Sequence, residues 1–452
     1  MTARFDLLVR GGTLVTPRAT YPADIAVTSE RIAAIGSPGS FDADAAQVLD
    51  ARGRYVLPGV IDAHVHFREP GLEYKEDFGT GSRAAVMGGV TTVLEMPNTL
   101  PPTSTAALVR QKQQLAEAKS HCDFGLYGLL VQDSVEQLEP MAEAGVIGFK
   151  CFLGQSTGDI GPPDDGRLLE ALGIISRLGL RCAFHAESDQ ILQHHIAALK
   201  ASGRTDALAH VDARPVVAEV EAIQRAALFA ATTGARIHIL HLSSAPGLAT
   251  IEEWRRRGVN ITCETTPQHC FLSAEQMQSL GSMLRINPPV RETGHAEVLL
   301  NGLASGQIDL LATDHSPHLL SEKLNTDIWQ AVSGFVGVET SLRLFLTYAV
   351  HTGKMTLQQL VRATSEGPAR AWGLYPRKGC LQVGADADLT LVDLSVEGVI
   401  EQHRLHSKNN PTPFDGHRTR GAAVATVLRG QLVMRDGELV DQPRGRLLQP
   451  TH

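Results

Sequence analysis

Hydrophobic and polar positions alternate differently along the chain at its ends and in its middle. Near the start, FDLLV and TLVT flank Gly11-Gly12, and DIAVT and RIAAIG flank Ser29-Glu30. Near the end, ADLTLVDL precedes AVATVLRGQLVMRDGELV, with turn residues at Arg429-Gly430 and Asp436-Gly437. Short β-rich runs joined by Gly-containing turns predict hairpins. Neither end is long enough to bury a good core alone, so the pattern predicts a single β-sandwich built from both, about 1–57 and 378–452.

Between them, about 58–377, eight apolar runs recur: VIDAHV, TTVLEM, FGLYGLL, VIGFKCFL, RCAFHA, RIHILHL, NITCET and IDLLAT. Most are followed by an amphipathic or Ala-rich stretch. One of these places Val220, Ile223, Ala227 and Ala230 on one helical face. Near-continuous apolar strands alternating with helices indicate a buried parallel sheet, and eight units predict a (β/α)8 TIM barrel. An open doubly wound sheet is the alternative. The fold class is thus α/β, a barrel with a smaller composite β-sandwich.

Composition narrows the function. The chain of 452 residues is 43% hydrophobic and carries a net charge of −8, which argues against a nucleic-acid partner. The one basic run, Arg255-Arg256-Arg257, precedes Gly258 and suits a helix C-terminus. No stretch approaches the roughly 20 apolar residues that span a bilayer, so no membrane partner is expected. The N-terminal apolar run is too short for a signal peptide. Six scattered cysteines without a C-x-x-C read as reduced thiols, so a cytoplasmic setting is expected, and the sequon at Asn260 carries no weight.

Polar residues fall at or near the ends of the apolar runs: His64 and His66, Asn98, Lys150, His185, His241 and Asp314. In a barrel, active sites sit at that end of the strands. In H-x-H the two imidazoles point to one side of a strand and can grip one metal ion, although alone the motif fits two ordinary histidines. His185 and His241 each end a separate run, and imidazole is a common ligand of zinc-like ions. Asp314 can ligate a metal and shuttle a proton, or else cap a helix. A buried Lys150 must lower its pKa or find a partner, or it snorkels to the rim. When neutral it can take up CO2 and become an anionic carbamate. No Walker A loop, dinucleotide fingerprint, G-x-S-x-G elbow or H-E-x-x-H is present.

The motifs PGVIDAHVHFREPG, EMPNT, GFKCF, HLSS, INPPVR, ATDHSPH and GADADLTLVDL resemble those of the cyclic amidohydrolases, the group of dihydroorotases, allantoinases and hydantoinases. The resemblance runs over essentially the whole chain. It implies a (β/α)8 barrel with a composite β-sandwich and two divalent metals, with zinc suited and manganese or cobalt possible. It implies His64, His66 and Asp314 on one metal, His185 and His241 on the other, and a carboxylated Lys150 bridging them. A small cyclic amide is the implied substrate, and a homo-oligomer, dimer or tetramer, the implied assembly.

Within the group, dihydroorotate carries a carboxylate that hydantoins and allantoin lack. Arg68 can bind a carboxylate through two parallel hydrogen bonds. Asn98 and His318 can add donors, and Asn287 matches a position that contacts the ring. These four substrate-binding candidates lead to the expectation of a dihydroorotase of pyrimidine biosynthesis, with Asp314 as catalytic proton carrier. GFKCF, ARPVVAEVEAI and Asp327-Ile328-Trp329 look allantoinase-like, and GLYPRKG recurs in hydantoinases and allantoinases. The alternatives are therefore an allantoinase or hydantoinase, or a non-catalytic scaffold. Residues 155–166, rich in Gly, Pro and Asp, are a candidate lid.

Overall fold

The computed structural model describes residues 5–41, 45–155, 160–440 and 442–451. Of the candidate lid, 156–159 lie outside the described residues.

The N-terminal part forms strands β1 (Phe5–Val15), β2 (Thr20–Thr28), β3 (Arg31–Gly36), β4 (Ala45–Asp50) and β5 (Tyr55–Pro58). The C-terminal part forms β14 (Leu389–Val399), β15 (Arg418–Leu428), β16 (Gln431–Arg435) and β17 (Glu438–Leu439), numbered to leave β6–β13 for the intervening barrel. Together they make one nine-stranded sheet in the order β17-β16-β15-β14-β5-β1-β2-β3, with β4 also on β1. The two ends meet where Leu389 pairs antiparallel with Pro58. Leu7, Ile25, Val56, Leu389, Leu391 and Val427, among others, fill a core of the sheet's own.

Three of the turns read from the sequence are tight hairpins. Ser29-Glu30, Arg429-Gly430 and Asp436-Gly437 all have positive φ at both residues, the backbone that a two-residue type I′ connection requires. Gly11-Gly12 is different. It is no turn but a bulge inside β1, where Val9 pairs with Ile25 and Gly12 with Ala23. A Cβ on Gly12 would lie 2.6 Å from Val56 Cγ2, so the glycine serves close packing.

The eight runs of the middle become β6 (Val60–Val65), β7 (Val90–Glu95), β8 (Asp123–Leu130), β9 (Gly148–Phe152), β10 (Arg181–His185), β11 (Arg236–Ile239), β12 (Ile261–Thr265) and β13 (Leu310–Leu311). They form one parallel sheet in sequence order. A parallel bridge between Val65 and His315, with His66 N–H donating to His315 O at 2.8 Å, brings the last strand onto the first and curls the sheet into a barrel. β6 to β10 are buried along their whole length, as expected where helices cover the outside and side chains fill the inside. No helix among the described residues is long and apolar enough to cross a membrane.

Candidate active site

The C-terminal ends of the barrel strands converge on one cavity of about 350 Å³ of open space. His64, His66, Asn98, Lys150, Phe152, His185, His241, Asn287, Asp314, Ser316, Ser333 and Gly334 line it. A larger surface cleft, walled by 206–208, 277–282 and 324–328, holds none of these groups.

Asp314 lies between the two histidines of H-x-H. Its Oδ1 is 3.2 Å from His64 Nε2 and 3.1 Å from His66 Nε2. One ligand atom from each of the three residues falls within 4.8 Å of the others, so they form a group able to hold a metal ion. His185 Nδ1 and His241 Nε2 face each other at 3.0 Å.

The histidines' other nitrogens fix which atoms are free. A carboxylate only accepts hydrogen bonds. His64 Nδ1 lies 2.6 Å from Glu264 Oε1 and therefore carries the proton, leaving a lone pair on Nε2. His185 Nε2 lies 2.9 Å from Glu187 Oε2 and leaves Nδ1 free in the same way. Glu187 is itself held by Arg214, whose Nη2 is 2.6 Å away. His241 Nδ1 is buried with no hydrogen-bond partner among the described residues. Oriented, proton-poor imidazoles backed by carboxylates are the usual surroundings of a metal, and this donor set fits one.

Burial lowers His66 to about 3, and lowers His185 and His241 as well, so these rings are neutral near neutral pH, the form in which imidazole can bind a metal. Burial also pulls Lys150 down to about 8. Its Nζ sits 4.4 Å from the centre of the Phe152 ring. Burial pushes the Asp314 carboxyl up, but His64, His66 and Lys150 outweigh it and hold it below the usual carboxylate range.

The backbone is unusual here. His241 and Asp314 have φ of 34° and 51°, and Arg68 has 66°. Such left-handed residues other than glycine collect at functional sites. Asp62 accepts hydrogen bonds from Thr313 N at 3.1 Å and His64 N at 3.3 Å, holding the chain at His64 and beside Asp314.

The four substrate candidates separate. Asn98 and Asn287 line the cavity, and Asn287 Oδ1 accepts from Ser333 Oγ at 3.2 Å. Arg68 and His318 do not line it. The Arg68 guanidinium donates to Pro317 O at 3.3 Å and meets His318 Nε2 at 3.0 Å. His318 stands behind Gly334, where a Cβ would come within 3.4 Å of its Nε2. Sequence reasoning missed Glu264, Glu187 and Asp62. Their only signal is a charged residue inside or just after an apolar run, which does not tell what it will touch. It also missed Phe152, Ser316, Ser333 and Gly334.

An allantoinase from Deinococcus radiodurans is 38% identical over 447 residues, covering 98% of this chain and 99% of that one. An L-hydantoinase from Paenarthrobacter aurescens is 36% identical over 449 residues, covering 98% of each. The solved structure of L-hydantoinase (dihydropyrimidinase) from Arthrobacter aurescens is similar with a TM-score of 0.95, at 36% identity and 98% and 99% coverage.

These relatives correct the expectation of a dihydroorotase, and with it the place in pyrimidine synthesis: their names are allantoinase and hydantoinase. The structure supplies a physical reason. The expectation drew on Arg68, Asn98, His318 and Asn287, and of these Arg68 and His318 are in contact with each other and are not among the residues lining the cavity. The Amidohydrolase family model matches residues 55–433, and the chain belongs to that family.

Proposed function

We propose that this protein is a metal-dependent hydrolase that opens an uncharged five-membered cyclic amide of the hydantoin type, allantoin or a 5-substituted hydantoin. The carrying observation is the cavity wall: a His/Asp/Lys cluster beside Asn98, Asn287, Ser316 and Ser333, with no arginine among the described lining residues. Relatives over the whole chain named allantoinase and L-hydantoinase support the same reading.

In this proposal His64, His66 and Asp314 hold one divalent cation and His185 and His241 a second, zinc suiting the donor set. Burial lowers Lys150 to about 8, which raises its share of free amine. That amine would add to CO2 with loss of a proton, and the carbamate would supply a further anionic donor to the cations. When bound, such cations polarise a carbonyl and lower the pKa of water.

The chain's own groups do the rest. Asn98 and Asn287 offer amide donors and acceptors to the edges of the ring. Asp314, ionised and flanked by imidazoles, accepts the proton of the attacking water as its oxygen bonds to the ring carbonyl carbon. It then passes that proton to the ring nitrogen as the carbon–nitrogen bond breaks. The water's other proton is lost to solvent as the new carboxyl group ionises, and the product carries a carboxylate and a free ureido group.

Incubating metal-loaded protein with allantoin, a 5-substituted hydantoin, dihydrouracil and dihydroorotate, and identifying products by mass, tests the proposal. Gain of one water by a hydantoin ring, with dihydroorotate left intact, is expected. Turnover of dihydroorotate alone would overturn it.

A further inference from the structure

Glu264 is the penultimate residue of β12 and is fully buried. Three groups converge on its carboxylate. Oε1 accepts from His64 Nδ1 at 2.6 Å and from the His241 backbone N–H at 3.2 Å. Oε2 lies 3.1 Å from His238 Nε2, whose Nδ1 is in turn 2.8 Å from Thr262 Oγ1. Glu264 therefore touches one member of each ligand group, His64 on β6 and His241 just past β11.

We infer that Glu264 is a positioning residue that sets the tautomer of His64 and the backbone of His241 together, so that both metal positions depend on one carboxylate. This rests on the proposed metal site. The physical reason is that a carboxylate has no proton to give. It keeps the His64 proton on Nδ1 and the Nε2 lone pair free, as the proposed ligand requires. A glutamine of the same shape brings an NH2 group to the cluster. Three donors then meet a group with only one acceptor oxygen. With the amide oxygen toward His64, His238 must move its proton to Nδ1 and accept from the NH2. With the amide reversed, His64 takes the tautomer protonated on Nε2, which cannot ligate. In both cases a neutral amide replaces the carboxylate that backs the two groups.

The test is zinc affinity at each position, measured against a competing chelator, together with the melting temperature of metal-free protein. For Glu264→Gln, both positions are expected to weaken by about ten- to a hundredfold, with the metal-free melting temperature close to the parent's. A purely structural role would lower that temperature and leave affinity alone. Parent-like affinity at both positions, or weakening confined to one, overturns the inference. His238→Gln removes the partner of Oε2 but keeps the His64 contact, and is expected to weaken both positions by less. Should Glu264→Gln fail to fold, parent-like affinity in His238→Gln overturns the inference instead. A parent protein that binds no metal would overturn the reading of the site itself, a separate result.

Discussion

At the scale of residues, the site is a set of polar groups forced into an apolar barrel, each needing a reason to be there. His241 and Asp314 leave their strands at positive φ, a conformation costing on the order of 1–3 kcal/mol each. The proposed proton path makes Asp314→Asn the sharpest single change. It should retain part of the metal and lose about 10²–10⁴-fold in kcat, read by steady-state kinetics with metal content recorded. Lys150→Ala should lose metal and activity, with both partly restored by a short-chain carboxylate or by bicarbonate; failure of any rescue would count against the carbamate. Arg68→Met should lower the melting temperature, because Pro317 O loses its guanidinium donor and His318 one of its polar contacts, while KM for an uncharged ring stays near the parent's. The cavity-lining histidines, Lys150 and Asp314 were legible in the sequence because each interrupts or ends an apolar run. Arg68 shows what residue type leaves open: it follows H-x-H, but φ there is 66°, off the extended strand path, and its guanidinium meets Pro317 O and His318.

At the scale of elements, all eight apolar runs are barrel strands, and their limits differ from the quoted runs by a few residues. The helix Val216–Thr233 shows what periodicity misses. Ile223, Ala227 and Ala230 are buried as read, but Val220 is half-buried, and the face is centred on Ala218, Ala222 and Ala226 with Glu219 beside them. Small alanines let the helix sit close to its neighbours, so apolar size was a poor guide to direction. Glu219 is buried because Ser243 and Ser244 donate to it, a contact from 24 and 25 residues away. Ile223→Ala should destabilise by about 2–5 kcal/mol, measured by denaturant unfolding, since it deletes a fully buried side chain from close packing.

At the scale of the molecule, the meeting of the two chain ends was legible because neither could close a core alone. What seals that meeting was not. Lys378 Nζ lies 2.7 Å from Asp123 Oδ2, 2.6 Å from Asp388 Oδ2 and 3.2 Å from Asp386 Oδ2, all buried between barrel and sheet. The lysine supplies the cation these carboxylates need. Lys378→Met should therefore cost about 3–5 kcal/mol, because it leaves Asp388 buried without a cation while Asp123 keeps Arg429 and Asp386 keeps Arg377, and calorimetry would read it directly. The last described stretch, 442–451, runs back under the barrel: Leu448 N–H donates to Phe124 O at 2.7 Å, and Leu448 is fully buried near Trp372. No local pattern in those residues announces this, since the contacts reach more than 300 residues back along the chain. The central claim, metal-assisted opening of an uncharged hydantoin-type ring, is tested most directly by kcat/KM for allantoin and a 5-substituted hydantoin. The same protein should be measured metal-loaded, chelated and reloaded. A value of about 10⁴ M⁻¹s⁻¹ or more for one of them, lost on chelation and regained on reloading, is predicted; fully metal-loaded protein that turns over neither ring would contradict the account.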